Sequence, residues 1–527
     1  YRLFNLQGAP ATHTDFLHLR VVTQPTENDT LGNDFWGIYL LMENFDKDFL
    51  QTHNLPNGNI YAYKPPKLRN QHPDSSLFGL ANRPYVEWDK NCEQPNTEAW
   101  WRAHLDLPAY FGFLATQEII ANRETGYRKQ HWWMEYHNPK ANNWVIFPWD
   151  MDVTWTQTTG NCTISGAIRK AAFSHNSIQI EYINHLRGVL DLLFNSEQMG
   201  LMIDEYARFI YQPKNKYSMV DLDRMRWGHN YSGNFGEELQ KLRRFVDARR
   251  THLLSKLPTD CPVAPTVRYT GASGFPADNL QFTCSDYRDG SSPFAAMQWQ
   301  LSEITDPANP PADAPYLYEY TPLWQSGEIR QFNANLQLPQ GIAQPQRLYR
   351  LRVRFKSQKG YYSHWSPPVE FRAGMPSENL AGKIAFSEVL YFVGDKQSES
   401  EFIELRNVSK NAVQLKGCSI EGAVRFQFGQ SVVLQPDSML ILVADSAMFA
   451  QQRPQLPICG AYKGNIKKEG ESLCLRDAYG TVIDSLALPK ATEKSHSYEC
   501  TDFLFRPLPS SWQWSPNGGT PLRPAAD

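Results

Sequence analysis

Apolar residues recur at helical spacing over Ile183, Leu186, Val189, Leu190 and Leu193, which predicts a helix between Ile183 and Phe194. Asn195-Ser196 then offers a cap for a second helix carrying Met199, Ile203, Tyr206 and Ile210. A third stripe of Leu239, Leu242, Val246 and Leu253 predicts a last helix. Arg243, Arg244, Arg249 and Arg250 fall largely off that stripe and read either as a solvated face or as a binding surface. At Leu257-Pro258-Thr259-Asp260-Cys261-Pro262 the texture changes from mixed to all-β, with short alternating runs. Among these, Tyr349 to Lys356 alternates strictly: Tyr349, Leu351, Val353 and Phe355 face one way, Arg350, Arg352, Arg354 and Lys356 the other. The basic stripe is either a solvated outer face or a grip on an acidic ligand. A second linker, Ala373 to Asn379, opens another β-rich stretch to about residue 490, and a Pro/Ser/Trp tail follows.

The 527 residues are enough for about three domains, and 41 % hydrophobic against 20 % charged residues exclude a disordered or low-complexity chain. With 52 Lys+Arg and 55 Asp+Glu the net charge is −3, so no nucleic-acid partner is expected. No apolar run reaches the roughly 20 residues that span a bilayer, and no signal peptide opens the chain. A chain that starts at Tyr1 reads as a processed or excerpted piece. The eight cysteines stand singly with no CxxC pair, against zinc ribbons and thioredoxin-type sites. An even count fits an exported protein with disulfides, and equally buried thiols.

Chemistry concentrates in Trp144-Val145-Ile146-Phe147-Pro148-Trp149-Asp150-Met151-Asp152. An apolar strand here delivers carboxylates at i and i+2, which share a side if the chain stays extended. Such a pair bridges Mg²⁺ and phosphates, or else caps the strand as an Asp-rich turn. Upstream lie Gly37-Ile38-Tyr39-Leu40-Leu41-Met42-Glu43-Asn44-Phe45-Asp46 and Tyr63-Lys64, and downstream Asp221 to Trp227 and Phe245 to Arg250.

Taken together, these blocks over residues 30 to 257 resemble the spore coat CotH kinase family, with its G-x-Y-x-L-x-E-x-x-D, Y-K and P-W-D-x-D blocks in that order. The resemblance implies an atypical kinase-like fold, with ATP and Mg²⁺ (or Mn²⁺) as cofactors. Asp150 and Asp152 match the metal-binding carboxylates, Asp150 also counting as catalytic, and Glu43 falls in the segment joining the lobes near the nucleotide. Where similar members place an Asp base and an Asn metal ligand, this chain has Glu124 and Gln130. Lys64 and Lys129 are candidates for phosphate charge, because the family's early basic strand has no clear counterpart before Trp36. The amino-terminal lobe is accordingly expected to be short or altered.

Two β modules follow. Tyr349 to Pro367 resembles the closing strands of a fibronectin type III module. The ordered blocks Ile384–Val389, Glu401–Asn407, Val413–Ile420, Leu434–Val443 and Leu473–Asp484 resemble the lamin tail domain, an immunoglobulin-like sandwich. Glu401 and Glu404 read as strand residues at an edge rather than as ligands. The expected fold class is thus multidomain: an α+β kinase-like domain (1–258), two all-β immunoglobulin-like sandwiches (262–373 and 380–490) and a tail (491–527). The implied function is an exported or cell-surface phosphotransferase acting on a protein substrate or cell-surface component. The alternative is a degenerate kinase-like surface binding protein without turnover.

Overall fold

The computed structural model describes residues 1–22, 35–62, 67–70, 83–123, 133–160, 166–214, 217–228, 234–289, 292–394, 400–429, 431–516 and 518–523. Lys64, Glu124, Lys129, Gln130 and Cys162 lie outside them. The chain forms two compact units. The first holds residues 1–268, 283–334 and 348–370, the second 269–282, 335–347 and 371–527, so the middle stretch divides between them.

The first unit opens with α1 (Arg2–Leu6), then β1 (Thr14–Arg20) paired antiparallel with β2 (Phe35–Met42). After α2 (Lys47–Thr52) come β3 (Asn59–Ala62) and β4 (Lys67–Asn70), then α3 (Arg83–Asn91), α4 (Glu98–His104) and α5 (Leu107–Ile119). β5 (Trp133–Asn138) and β6 (Asn143–Pro148) complete a sheet of order β4-β3-β5-β6. The helices α6 (Ala167–Ala172), α7 (Asn176–Leu192) and α8 (Ser196–Tyr211) follow, then a short β7 (Pro213–Lys214) and β8 (Tyr217–Ser218) hairpin, α9 (Met219–Trp227) and α10 (Phe235–Leu254). α5 is apolar from Leu107 to Ala115, ends in the polar Thr116, Gln117 and Glu118, and is buried at every position except Pro108, as a central core helix must largely be. It starts at Asp106, which accepts from the Ala109 N–H at 3.1 Å, with Pro108 in the first turn. Asn195 caps α8 by accepting from Glu197 and Gln198, as its sequence suggested.

The basic stripe is neither solvated nor vacant. Beyond β9 (Val267–Tyr269) and β10 (Gln281–Cys284), β11 (Phe294–Glu303) is flanked by β12 (Trp324–Gln325) and, after β13 (Asn335–Gln337), by β14 (Leu348–Ser357). Tyr349, Leu351, Val353 and Phe355 on β14 are fully buried. On its other side Arg350 donates to Glu197 of α8 (2.9 Å), Glu319 (3.0 Å) and Glu370 (2.8 Å), and Arg352 to Glu319 (3.0 Å). α7 caps the loop after β14: Asn184 donates to the Gly360 carbonyl (2.8 Å) and accepts from the Tyr362 N–H (2.8 Å). Asp191 accepts from the Trp365 N–H at 2.9 Å. The acidic partner of the stripe is thus largely this chain's own helices and loops, and at Glu319, where both sides of the pair with Arg350 are buried, a single removal is costly.

In the second unit, after β15 (Val369–Arg372), β16 (Ile384–Leu390), β17 (Phe402–Asn407), β18 (Val413–Gln414), β19 (Ser419–Gly422), β20 (Val424–Gln427), β21 (Val433–Leu434) and β22 (Met439–Val443) precede α11 (Ser446–Gln452). Then come β23 (Gly460–Ala461), β24 (Lys463–Gly464), β25 (Ser472–Arg476), β26 (Val482–Ala487), β27 (Ser497–Cys500) and β28 (Trp512–Ser515). A six-stranded sheet of order β23-β22-β17-β16-β27-β28 shares one core with a five-stranded sheet of order β24-β20-β19-β25-β26. β17 is an inner strand, not an edge, because β16 and β22 pair on its two sides. Glu401 and Glu404 are accordingly buried. The stretch beyond 490 supplies β27 and β28, and β27 pairs directly with β16. The seven described cysteines form no disulfide with one another.

Candidate functional site

Three positions of the glycine-to-aspartate block, Gly37, Glu43 and Asp46, have a clear physical task. Gly37 sits at φ +124°, and a Cβ there would lie 2.5 Å from Asp223 Oδ1 and 2.8 Å from Trp227 Nε1 of α9. That close approach lets Asp223 accept from the Ile38 N–H (2.8 Å) while Trp227 Nε1 donates to the Trp36 carbonyl (2.8 Å). The downstream Asp221-to-Trp227 segment therefore serves as the buttress of β2. Asp46 caps α2, accepting from Asp48 and Phe49.

Glu43, at the end of β2, is held rather than free to swing. Its Oε2 accepts from the His13 N–H (3.1 Å) and lies 3.0 Å from His13 Nδ1, and its Oε1 accepts from the Thr52 hydroxyl (2.7 Å). Partial burial pushes its carboxyl up, but the Thr52 hydroxyl, the His13 N–H and the His13 and His53 rings outweigh that and hold it below the usual range. The rings of His13 and His53 stack at 4.6 Å, and ligand-type atoms of His13, Glu43 and His53 lie within 4.8 Å of one another. Both His53 nitrogens, however, lie 2.9 Å from backbone carbonyls, of Phe49 and Ala11. The ring is therefore engaged by the backbone and offers no bare nitrogen to an ion. Neither histidine was marked by spacing in the sequence.

Phe45, two residues past Glu43, stacks on Phe147 (6.0 Å) and meets Trp149 edge-on (5.6 Å). These rings belong to one small core that joins the Glu43 block to β6, and so to the aspartate pair. β6 ends at Pro148, and Asp150 turns into the left-handed region at φ +61°. The chain is thus not extended through Asp150 and Asp152, and the alternation expected for an extended pair does not apply. Asp and Asn tolerate this conformation better than other side chains. Past the turn both carboxylates still act electrostatically on one group, the Tyr1 hydroxyl. Burial first, then Asp150 and Asp152, push that phenol up to about 12, against hydrogen bonds from the Met151 and Asp150 backbone. Asp150 is half-buried and Asp152 exposed.

The loop after the pair is tied to the end of α5. The Trp155 N–H donates to the Ile120 carbonyl (2.8 Å) and the Arg123 N–H to the Val153 carbonyl (3.3 Å). Arg249, fully buried on α10, donates to the Glu118 carbonyl (2.9 Å) and the Gly160 carbonyl (2.8 Å). Of the four off-stripe arginines on α10, this one is an internal strut instead of a solvated or ligand-facing group. Two carboxylates on one turn, Asp150 half-buried and Asp152 exposed, are the kind of oxygen donor Mg²⁺ takes, so the chemistry of the described residues fits such an ion.

The family described as CotH kinase protein matches residues 1–253, and the Lamin Tail Domain matches residues 378–490. No curated protein matches the chain significantly. Among solved structures, "Structure of alpha-L-rhamnosidase from Dictyoglumus thermophilum" is 12 % identical at a TM-score of 0.18, covering 46 % of this chain and 30 % of that one. A score so low carries no argument about fold or activity. Among the described residues no helix is long and apolar enough to cross a membrane. With α+β structure in the first part and two packed β-sheets in the last, the chain carries a kinase-like CotH kinase domain over residues 1–253 and a Lamin Tail Domain over residues 378–490.

Proposed function

We propose that residues 1–258 bind ATP with Mg²⁺ or Mn²⁺ and transfer its γ-phosphoryl group to a protein hydroxyl. The observation that carries this reading is the placement of Asp150 and Asp152 on the turn after β6, a strand that a shared aromatic core ties to the Glu43 block. Asp150 and Asp152, with Gln130, would hold the ion, which when bound neutralises phosphate charge. Glu124 takes the proton from the acceptor hydroxyl as its oxygen bonds to phosphorus and ADP leaves. Lys64 and Lys129 would supply positive charge for the phosphates, and the rigidly held Glu43 positions the nucleotide. The protein is exported or surface-attached, with the middle stretch 262–373 as a fibronectin type III-like module and the Lamin Tail Domain as attachment modules.

Calorimetric titration of the full chain with ATP tests the reading. Saturable binding that requires Mg²⁺ or Mn²⁺ is expected. No binding with either ion on demonstrably folded protein would leave the degenerate surface-binding alternative in its place.

A further inference from the structure

A second site lies away from the aspartate pair, within the first unit. A cleft of about 850 Å³ opens between α7 and the β11/β14 strands, walled by Phe111, Ile180, Leu192, Tyr320 and Pro322. That volume is within the range of small-molecule sites, roughly 300–1,000 Å³. Its charged lining residues are Glu181, Glu328, Arg354, Lys356 and Lys359, with His185 beside them.

All but one of these charges are matched. Arg102 donates to Glu181 (2.6 Å), Lys356 to Glu328 (2.7 Å) and Lys359 to Asp260 (2.8 Å). His185 is neutral, because burial and then the charge of Arg354 hold it down at about 4. Arg354 is the exception. Its guanidinium carbon stands 3.7 Å from the Tyr362 ring centroid and 4.5 Å from that of Trp365, and its Nε and Nη2 donate to Gln298 Oε1 at 3.0 and 2.7 Å. No carboxylate among the described residues hydrogen-bonds it. The nearest anions, Asp191 and Glu328, act only at a distance, and each has its own partner: His364 at 2.8 Å for Asp191, Lys356 for Glu328. Desolvation therefore outweighs them and lowers the pKa of Arg354.

A cation fixed by two rings and an amide, with no carboxylate among the described residues hydrogen-bonded to it, is an anion receptor whose geometry is set in advance. From this we infer that the cleft binds a small organic monocarboxylate, its carboxylate on Arg354 and its apolar body on the cleft walls. A dianion such as phosphate is disfavoured, because Lys356 and Lys359 are already neutralised and Glu181 and Glu328 would repel a second negative charge.

The test titrates the full chain with benzoate, with benzamide as its uncharged isostere. Benzoate should bind saturably and at least about 10-fold more tightly than benzamide, the scale of one charge-assisted hydrogen bond. Arg354→Gln should remove that preference. Glu328→Gln, which frees Lys356 as a second cation, should tighten benzoate binding by a similar factor, and this arm decides the matter if Arg354→Gln does not fold. Equal affinity for benzoate and benzamide, an unchanged preference in folded Arg354→Gln, or unchanged benzoate affinity in Glu328→Gln overturns the assignment.

Discussion

Asp150→Asn is expected to lower phosphoryl transfer by roughly 100-fold or more, the scale seen when one preorganised electrostatic group is removed from a transition state. The melting temperature should stay level or rise. Asn is chosen over Ala because the residue at φ +61° must tolerate the left-handed region, so the substitution removes charge without straining the turn. Losing one of two neighbouring carboxylates also relieves repulsion in the metal-free protein. Asp152→Asn should behave alike. If the pair only shapes the turn after β6, the pattern reverses: activity per folded molecule persists and stability falls by about 1 kcal/mol, as for a lost cap. Activity and melting measured on the same preparations separate these outcomes, and full activity in Glu124→Gln would remove that residue from the base role alone.

The second large effect concerns pH and the Lamin Tail Domain. Glu388, Glu404 and Glu499 face one another across three adjacent strands, 1 %, 2 % and 5 % exposed. Burial, and then the neighbouring carboxylates, push Glu388 and Glu404 up to about 7, although Ser497 and the Thr520 N–H donate to the first, and Ser387 and the Leu522 N–H to the second. Arg406 draws Glu404 down only in part, and the Thr520 hydroxyl donates to Glu499 at 3.1 Å. The folded state therefore holds protons that the unfolded chain has released. Its stability is fully present below about pH 4.5, the ordinary value for Glu, and falls as pH rises through 7. At about 1.4 kcal/mol per pH unit of displacement, the loss for the two groups amounts to several kcal/mol. Calorimetric melting of the second unit should thus shift to lower temperature between pH 5 and pH 8. Glu388→Gln and Glu404→Gln should each flatten that slope and raise stability at pH 8. A slope unchanged in both variants would show that these carboxyls are ionised throughout.

Much of this architecture could be read from residue patterns, and the exceptions share a cause. The stripe on Tyr349 to Phe355 gave a strand because period-two alternation is local. The blocks of the Lamin Tail Domain surfaced in the same way, as strands β16, β17, β22, β25 and β26. The partner of the opposite stripe was hidden, because Glu197 stands 153 residues from Arg350 and nothing near either marks the pairing. Likewise Tyr1 meets the aspartate pair only through the fold, and the turn at Asp150 depends on a backbone angle that a D-x-D pattern does not encode. β27 was missed because four residues are too few to show a period.

That late strand has a consequence for the order of synthesis. β16 emerges from the ribosome early, whereas Ser497, opposite it on β27, comes 109 residues after Glu388. At roughly 5–20 residues per second, one edge of β16 stays unpaired for roughly 5–20 s. An open edge recruits other chains, and charged residues pointing inward are among the means of preventing this. While the edge is wet Glu388 is an ordinary ionised carboxylate, so the residue that costs stability in the finished sheet guards the unfinished one. Glu388→Val should accordingly raise aggregation of newly made chains even where the purified protein melts higher than wild type.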